Sequence, residues 1–296
     1  MAEQSTQVAE GRLVSFKNSK GTKLDGALFT TDKVSAHKIA VISTHGAANN
    51  FYSSVTGFLS PALPFHGYPT LSMNLSSHDR SYSKFPFEDC ELDFAAAVKF
   101  MQGLGYKHFV LFGHSLSVTQ TIYYMARSQE PSVIGLALSA GHDDLRGISW
   151  RNWQSVSDDP KAEHERFVLE CKKLIASGDG DRLFVIPWWD SDPKLKLRKQ
   201  YREISALAYV SYRAPDSNCN ASRWMPAVKV PALFIGHSVV DTMADTGMTE
   251  RLRGFATSAP FTDFVNIEGS GHFYVGYENQ LIGAVVKFLD KLRATI

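Results

Sequence analysis

Long apolar runs are missing from this chain of 296 residues. The longest, such as Phe109–Phe112 and Ile134–Leu138, fall far short of the ~20 residues that a membrane-spanning helix needs. The opening MAEQSTQVAE has no positive segment followed by an apolar core, so it does not read as a secretory signal. Cysteine is scarce. Cys90, Cys171 and Cys219 are the only three, too few for a disulfide framework, and they read as reduced thiols in a cytoplasmic protein. No Cys-x-x-Cys and no Cys/His cluster has zinc spacing, so no metal or other cofactor is expected. A basic excess is also lacking. Lys and Arg number 31 against 30 Asp and Glu, a net charge of +1, which leaves nothing to neutralise a phosphate backbone and argues against nucleic acid as a partner. Repeats and low-complexity segments are absent.

What remains is the balance of a folded domain: 44% apolar and 21% charged residues. The length suits one or two domains. Arg12–Phe16 and Leu24–Thr30 read as two strands around the Lys20-Gly21 turn. Ile39–Ser43, Pro69–Leu75 and His108–Phe112 are short runs rich in Val, Ile, Leu and Phe, the pattern of strands buried on both faces. Helical patterns alternate with them over Glu88–Leu104 and Leu116–Arg127. Val133–Ser139, Ala232–Ile235 and Phe264–Ile267 continue the strands, with helices over Thr246–Phe255 and Gln280–Leu292. Such alternation predicts a mostly parallel sheet covered on both sides, with an antiparallel N-terminal edge.

The rhythm breaks over residues 146–228, which hold all five tryptophans. Helical patterns over Pro160–Ser177 and Lys194–Tyr212 predict a mainly helical insertion covering a cleft. Residues 1–145 and 229–296 then form the core.

One segment carries chemistry. Phe109–Phe112 runs into Gly113-His114-Ser115-Leu116-Ser117, and a helix begins at once. A serine on so sharp a strand-to-helix turn has its hydroxyl raised above the sheet, and the positions two before and two after must be small. Gly113 meets that demand; Ser117 stands where glycine is usual. The helix start adds free N–H groups and positive potential. A serine needs a base. His272, in Glu268-Gly-Ser-Gly-His272, follows the last strand and takes that role. An acid is due after the preceding strand. Asp241 provides it; Asp245 is the competitor, set aside because Asp241 sits nearer the strand end and because Asp245 falls where the next helix would use a capping acid.

The order Ser115, Asp241, His272 on alternating strands and helices resembles the α/β-hydrolase superfamily of serine esterases, lipases and thioesterases. The resemblance spans nearly the whole chain outside residues 146–228. It implies an eight-stranded, mostly parallel sheet with helices on both faces and a cap inserted after the sixth strand. It also implies an oxyanion hole from two backbone N–H groups: that of Leu116, and one in Thr44-His45-Gly46-Ala47-Ala48-Asn49, assigned to Ala47 with Ala48 as alternative. A serine nucleophile separates the chain from relatives that use aspartate or cysteine at the elbow.

The expected activity is hydrolysis of a carboxylic ester, thioester or lactone of a small, apolar or aromatic substrate through an acyl-enzyme. His45, Asn49, His114, Trp188 and Trp189 are candidate substrate contacts. Trp150, Trp153, Tyr209 and Tyr212 either line an acyl pocket or pack the cap. His142-Asp143-Asp144 reads as a solvated turn where the cap begins, with a metal or polar-substrate site as the other reading. Rival functions on the same residues are acyl transfer, carbon–carbon bond hydrolysis and a non-catalytic small-molecule receptor.

Overall fold

The computed structural model describes residues 10–31, 39–188, 200–239 and 247–296. The chain opens with β1 (Glu10–Lys17), β2 (Lys23–Thr30) and β3 (Ile39–Thr44). Then come α1 (Ser54–Ala62), β4 (Thr70–Met73), α2 (Cys90–Gly103), β5 (His108–His114), α3 (Leu116–Ser128) and β6 (Val133–Ser139). After residues 140–231, the chain returns with β9 (Ala232–His237), α7 (Met248–Gly254), β10 (Thr262–Ile267) and α8 (Glu278–Arg293). The intervening segment holds the 3-10 helix Arg146–Trp153, α4 (Pro160–Ala176), β7 (Leu183–Trp188), β8 (Gln200–Ser205), α5 (Ala206–Arg213) and α6 (Ala221–Trp224).

Eight strands form one sheet in the order β1-β2-β4-β3-β5-β6-β9-β10. β2 runs antiparallel to both β1 and β4, and every other neighbour pair is parallel. The antiparallel edge follows from the tight Lys20-Gly21 connection, which leaves no room for a crossover helix.

Side-chain alternation divides the core in two. Along β3, Ala40 and Ile42 join one buried cluster while Ile39 and Val41 join the other. On the first face lie Phe94, Val98 and Met101 of α2 and Val118, Ile122 and Met125 of α3. On the second lie Val55 and Leu59 of α1 and Leu281, Val285, Phe288 and Leu292 of α8. The α8 residues recur at helical spacing, which places one stripe against the sheet.

Two details of the inserted segment depart from the sequence reading. It contains the antiparallel pair β7–β8, and α5 covers only the last part of the helix expected over Lys194–Tyr212. Residues 194–199 of that helix lie outside the described ones. Among the described residues, the segment shares its core with the sheet domain. Trp153, Phe167, Val168, Ile186, Ile204 and Tyr209 belong to the same buried cluster as α2 and α3. No helix among the described residues is long and apolar enough to cross a membrane.

Candidate active site

Ser115 sits between β5 and α3 with φ 58° and ψ −121°, a region that side-chain-bearing residues avoid and that costs of order 1–3 kcal/mol. The surroundings hold it there. Its N–H donates to the Ser139 carbonyl at the end of β6 (2.9 Å), and its carbonyl accepts from the Val118 N–H (3.0 Å). Gly113 is obligatory, because a Cβ there would lie 2.7 Å from both the Ser117 carbonyl oxygen and Thr121 Oγ1. The hydroxyl is buried with the residue, which is 3% exposed.

Ser117, the departure from glycine, has its own explanation. Its hydroxyl lies 2.5 Å from Thr44 Oγ1, and Thr44 Oγ1 is 3.0 Å from the Phe112 carbonyl. Thr44 therefore donates to Phe112, and Ser117 donates to Thr44. This buried hydroxyl chain joins the first turn of α3 to the end of β3, three residues before Ala47. Nothing in the elbow spacing alone announces Thr44 as the partner; its place just ahead of His45-Gly46 is the available signal.

The loop after β3 reaches Ser115 from the other side. A Cβ on Gly46 would stand 3.0 Å from Ser115 Cβ and 3.5 Å from its Oγ, a tight contact that glycine avoids. Ala47 and Ala48 follow, half-buried. Among the described residues, the N–H groups of Ala47 and Leu116 have no hydrogen-bond acceptor. Leu116 begins α3, where the first N–H groups have no partner within the helix.

His272 completes the centre. Its Nε2 lies 2.9 Å from Ser115 Oγ, and the residue is 5% exposed. Its loop is laced to the one after β9. Ser238 and Val239 donate their N–H groups to the Ser270 carbonyl (3.2 and 3.0 Å), and the Gly269 N–H donates to Ser238 Oγ (2.6 Å). The chain thus leaves Val239 beside the histidine's own loop. Asp241 and Asp245 both lie outside the described residues. α7 starts at Met248 with Gly247 at its N-cap, later than the Thr246 start expected. The N-cap of α7 is thus Gly247 and not Asp245.

Other histidines surround His272. The His114 ring centroid is 4.9 Å away, that of His237 5.7 Å and that of His142 6.4 Å. His114 is buried, with Nδ1 3.2 Å from Ser139 Oγ, and its ring packs on that of His272. His142 was expected in a solvated turn but is buried too. Its neighbours make polar contacts: Asp143 pairs with Arg251 (2.8 Å) and Asp144 with Arg146 (2.9 Å). Among the described residues no group of His, Cys, Asp and Glu is arranged to hold a metal ion.

The remaining candidate contacts resolve differently. His45 is buried, with Nδ1 2.8 Å from the Gly46 carbonyl and Nε2 accepting the Leu75 N–H at 3.2 Å. Burial pushes its pKa down to about 4, against a smaller upward pull from the Gly46 bond. It is a neutral ring that braces the loop, and both nitrogens are engaged by main chain. Asn49 likewise turns inward: its Oδ1 accepts from the Ser53 hydroxyl and the Asn50 N–H. Trp189 and the Trp188 side chain lie outside the described set. Trp153, Tyr209 and Tyr212 are buried, Tyr212 against Tyr82 and Phe87, which fits the packing alternative of the two expected for them. Trp150 borders a separate cavity of about 310 Å³.

The three cysteines are free and buried.

No protein-family model matches the chain, and no curated protein matches its sequence. Solved structures do resemble it. A carboxyl esterase from Bacillus coagulans, solved with glycerol, superposes with a TM-score of 0.70 at 12% identity, covering 97% of this chain and 100% of its own. The α/β hydrolase GrgF from Penicillium sp. sh18 gives 0.69 at 15% identity, covering 96% and 99%. Est1E from Butyrivibrio proteoclasticus, solved with ferulic acid bound, gives 0.68 at 14%, covering 95% and 99%. The chain has the α/β-hydrolase fold over nearly its full length.

Proposed function

We propose that the protein is a serine hydrolase that cleaves a carboxylic ester, thioester or lactone through an acyl-enzyme. The observation that carries this reading is the 2.9 Å contact between His272 Nε2 and Ser115 Oγ, made by a serine in a strained turn at a helix start. Resemblance of fold alone assigns no activity.

In this mechanism His272 takes the Ser115 proton as the oxygen attacks the carbonyl carbon. The N–H groups of Leu116 and Ala47 receive the oxyanion, which forms only in the tetrahedral state. His272 then protonates the leaving alcohol or thiol. Water, activated by the same ring, releases the acid. Asp241 is the proposed acid that fixes the tautomer of His272 and stabilises its imidazolium. Support for it is indirect: the chain that carries it leaves Val239 while bonded to the His272 loop. Residues 146–228 act as the cap. β8 and α5 pack against the turns Asp79–Ser83 and Phe87–Asp89, next to the loop that supplies Ala47.

Labelling with a fluorophosphonate, read by mass spectrometry, tests the reading beside hydrolysis of short and medium p-nitrophenyl esters. The expected result is one adduct at Ser115 and ester turnover that falls by on the order of 10⁴–10⁶ in Ser115→Ala. Unchanged hydrolysis in that variant, or no label together with no turnover, overturns it.

A further inference from the structure

Asp93, in the first turn of α2, is a buried acid that the proposed mechanism does not use. It is 1% exposed. Three donors meet its carboxylate. The Ser76 N–H donates to Oδ2 at 2.7 Å, and Oδ1 accepts from the Ser76 hydroxyl at 2.7 Å and from Asn18 Nδ2 at 2.8 Å. Asn18 is itself fixed, because its Oδ1 accepts the N–H groups of Lys20 and Thr22, both at 3.0 Å, in the turn between β1 and β2. Burial pushes the Asp93 pKa up, and the bonds from Ser76 and Asn18 draw it back. A carboxylate is costly to bury unless it is hydrogen-bonded. What this one holds in place is Ser76, in the loop after β4.

We propose that Asp93 is a positioning residue for the oxyanion donor, acting through Ser76, Leu75 and His45 on the peptide that carries the Ala47 N–H. The proposal rests on the hydrolase reading above and deepens it with a residue remote from the reacting atoms.

Each link is a directional bond. Ser76 is held at both its N–H and its hydroxyl, which fixes the residue next to Leu75. The Leu75 N–H donates to His45 Nε2 at 3.2 Å. An N–H can only donate, so Nε2 accepts and the proton of the neutral ring sits on Nδ1. Nδ1–H then donates to the Gly46 carbonyl at 2.8 Å. That carbonyl and the Ala47 N–H belong to one planar trans peptide and point opposite ways, so aiming one aims the other. The peptide starts at Gly46, whose Cβ position stands 3.0 Å from Ser115 Cβ. It therefore lies against Ser115.

Two further bonds tie the same loops together. The Phe51 N–H donates to Asn74 Oδ1, and the Asp79 N–H donates to the Asn49 carbonyl, both at 2.9 Å. Both act beyond Ala48, and neither touches the Gly46–Ala47 peptide. The tilt of that peptide is set by His45, and the tautomer of His45 by Leu75.

The test uses Asp93→Asn, which keeps the size of the side chain but turns an NH2 group toward a Ser76 donor. For p-nitrophenyl acetate we expect kcat to fall about tenfold with KM little moved, short of the ~10²–10³ for losing an oxyanion donor outright. The Ki of a trifluoromethyl ketone, whose adduct on Ser115 places an oxyanion in the same hole, should rise by the same factor. A mutant cycle separates aim from stability. In His45→Ala, where the relay is already cut, adding Asp93→Asn should lower stability in urea but lower kcat no further. Should Asp93→Asn not fold, Ser76→Ala carries the same cycle with a smaller loss, since it keeps the N–H bond. Unchanged kcat, an equal fall in kcat with and without His45, or a change carried by KM overturns the proposal. The amide resonance of Ala47 gives a readout that needs no turnover. A shift in Asp93→Asn, with no turnover and no fluorophosphonate label in the wild type, keeps the relay and removes the hydrolase. Wild-type label and turnover, with neither kcat nor the Ala47 amide moved by Asp93→Asn, do the reverse.

Discussion

The loops at the carboxyl edge of the sheet and the segment inserted after β6 each hold a buried neutral histidine, but different forces fix them. His45, in the loop after β3, is clamped by main chain on both nitrogens. His164, in α4, has one main-chain bond, to Arg213, and one side-chain partner. Its Nδ1 lies 2.6 Å from the Tyr209 hydroxyl, which also accepts from Trp153 Nε1 at 3.0 Å. Burial, helped by the Arg213 charge, lowers the His164 pKa to about 4. Around Ser115 the same contrast recurs. Glycine and backbone amides define the elbow, whereas rings and hydroxyls from α4, α5 and Arg146–Trp153 define the insertion. A site built from backbone tolerates little change in shape. A segment built from side chains tolerates shape change but depends on every member of its network being satisfied.

Gly113→Ala breaks the first half of this contrast with the largest effect. The new methyl meets Ser117 main chain, so the elbow itself must move. We expect kcat/KM for a p-nitrophenyl ester to fall by on the order of 10² or more, the scale of losing an oxyanion donor or a 1 Å misplacement. The fall should be mostly in kcat. Full activity at wild-type stability would mean the elbow is not constrained by sterics. Tyr209→Phe breaks the second half. It leaves Trp153 Nε1 and His164 Nδ1 without their shared partner, at about 1–3 kcal/mol for each orphaned buried group. Urea titration should show the loss of stability, while the fluorophosphonate still labels Ser115. A variant as stable as wild type sinks the network argument.

That contrast also decides what could be read without coordinates. Ser115 and His272 are announced by small residues that their turns require, and the strand–helix alternation around them is a matter of period. β3, β5, β6 and β9 all fall where their apolar runs stand. The insertion gives no such cue. Trp153, Tyr209 and Tyr212 look alike whether they line a pocket or pack a core, because composition does not reveal which way a ring faces. β8 goes unread because a short charged strand, QYREIS, has no apolar alternation. Nor does Ser54–Ala62 signal α1, since it contains Gly57 and Pro61, both poor helix formers. Asp93 is invisible for another reason. Its place depends on bonds to Ser76 and, 75 residues earlier in the chain, to Asn18.

Ser117→Gly sharpens the contrast by restoring the usual elbow glycine. It removes the only side-chain bond that joins α3's first turn to the end of β3 among the described residues. The expected cost is about 1 kcal/mol, or about fivefold in kcat with KM little moved. Ser117→Thr should recover part of the loss if the hydroxyl is what counts. Equal kcat in Ser117→Gly and wild type would show that sterics alone set the elbow.

Acid provides the smallest and most direct comparison of the two histidines. Both have folded pKa values below the ordinary imidazole value of about 6.5, so the unfolded chain binds more protons between about pH 6.5 and 4. Their contribution to stability is therefore complete above pH 6.5 and lost as the pH falls toward 4. For fully buried His45 the loss from pH 7.5 to 6.0 is about 1 kcal/mol or less. For His164, whose drop has a charge contribution from Arg213, the direction is the same. Urea titrations at the two pH values should show a smaller acid-induced loss in His45→Gln and in His164→Gln than in wild type. In the first variant, ester turnover should fall as well, because the ring braces the loop that carries Ala47, the proposed oxyanion donor. In the second, turnover should follow stability alone. The same pH dependence in all three proteins would mean that neither ring is held neutral by its surroundings, and that the added side-chain partner of His164 makes no difference in this respect.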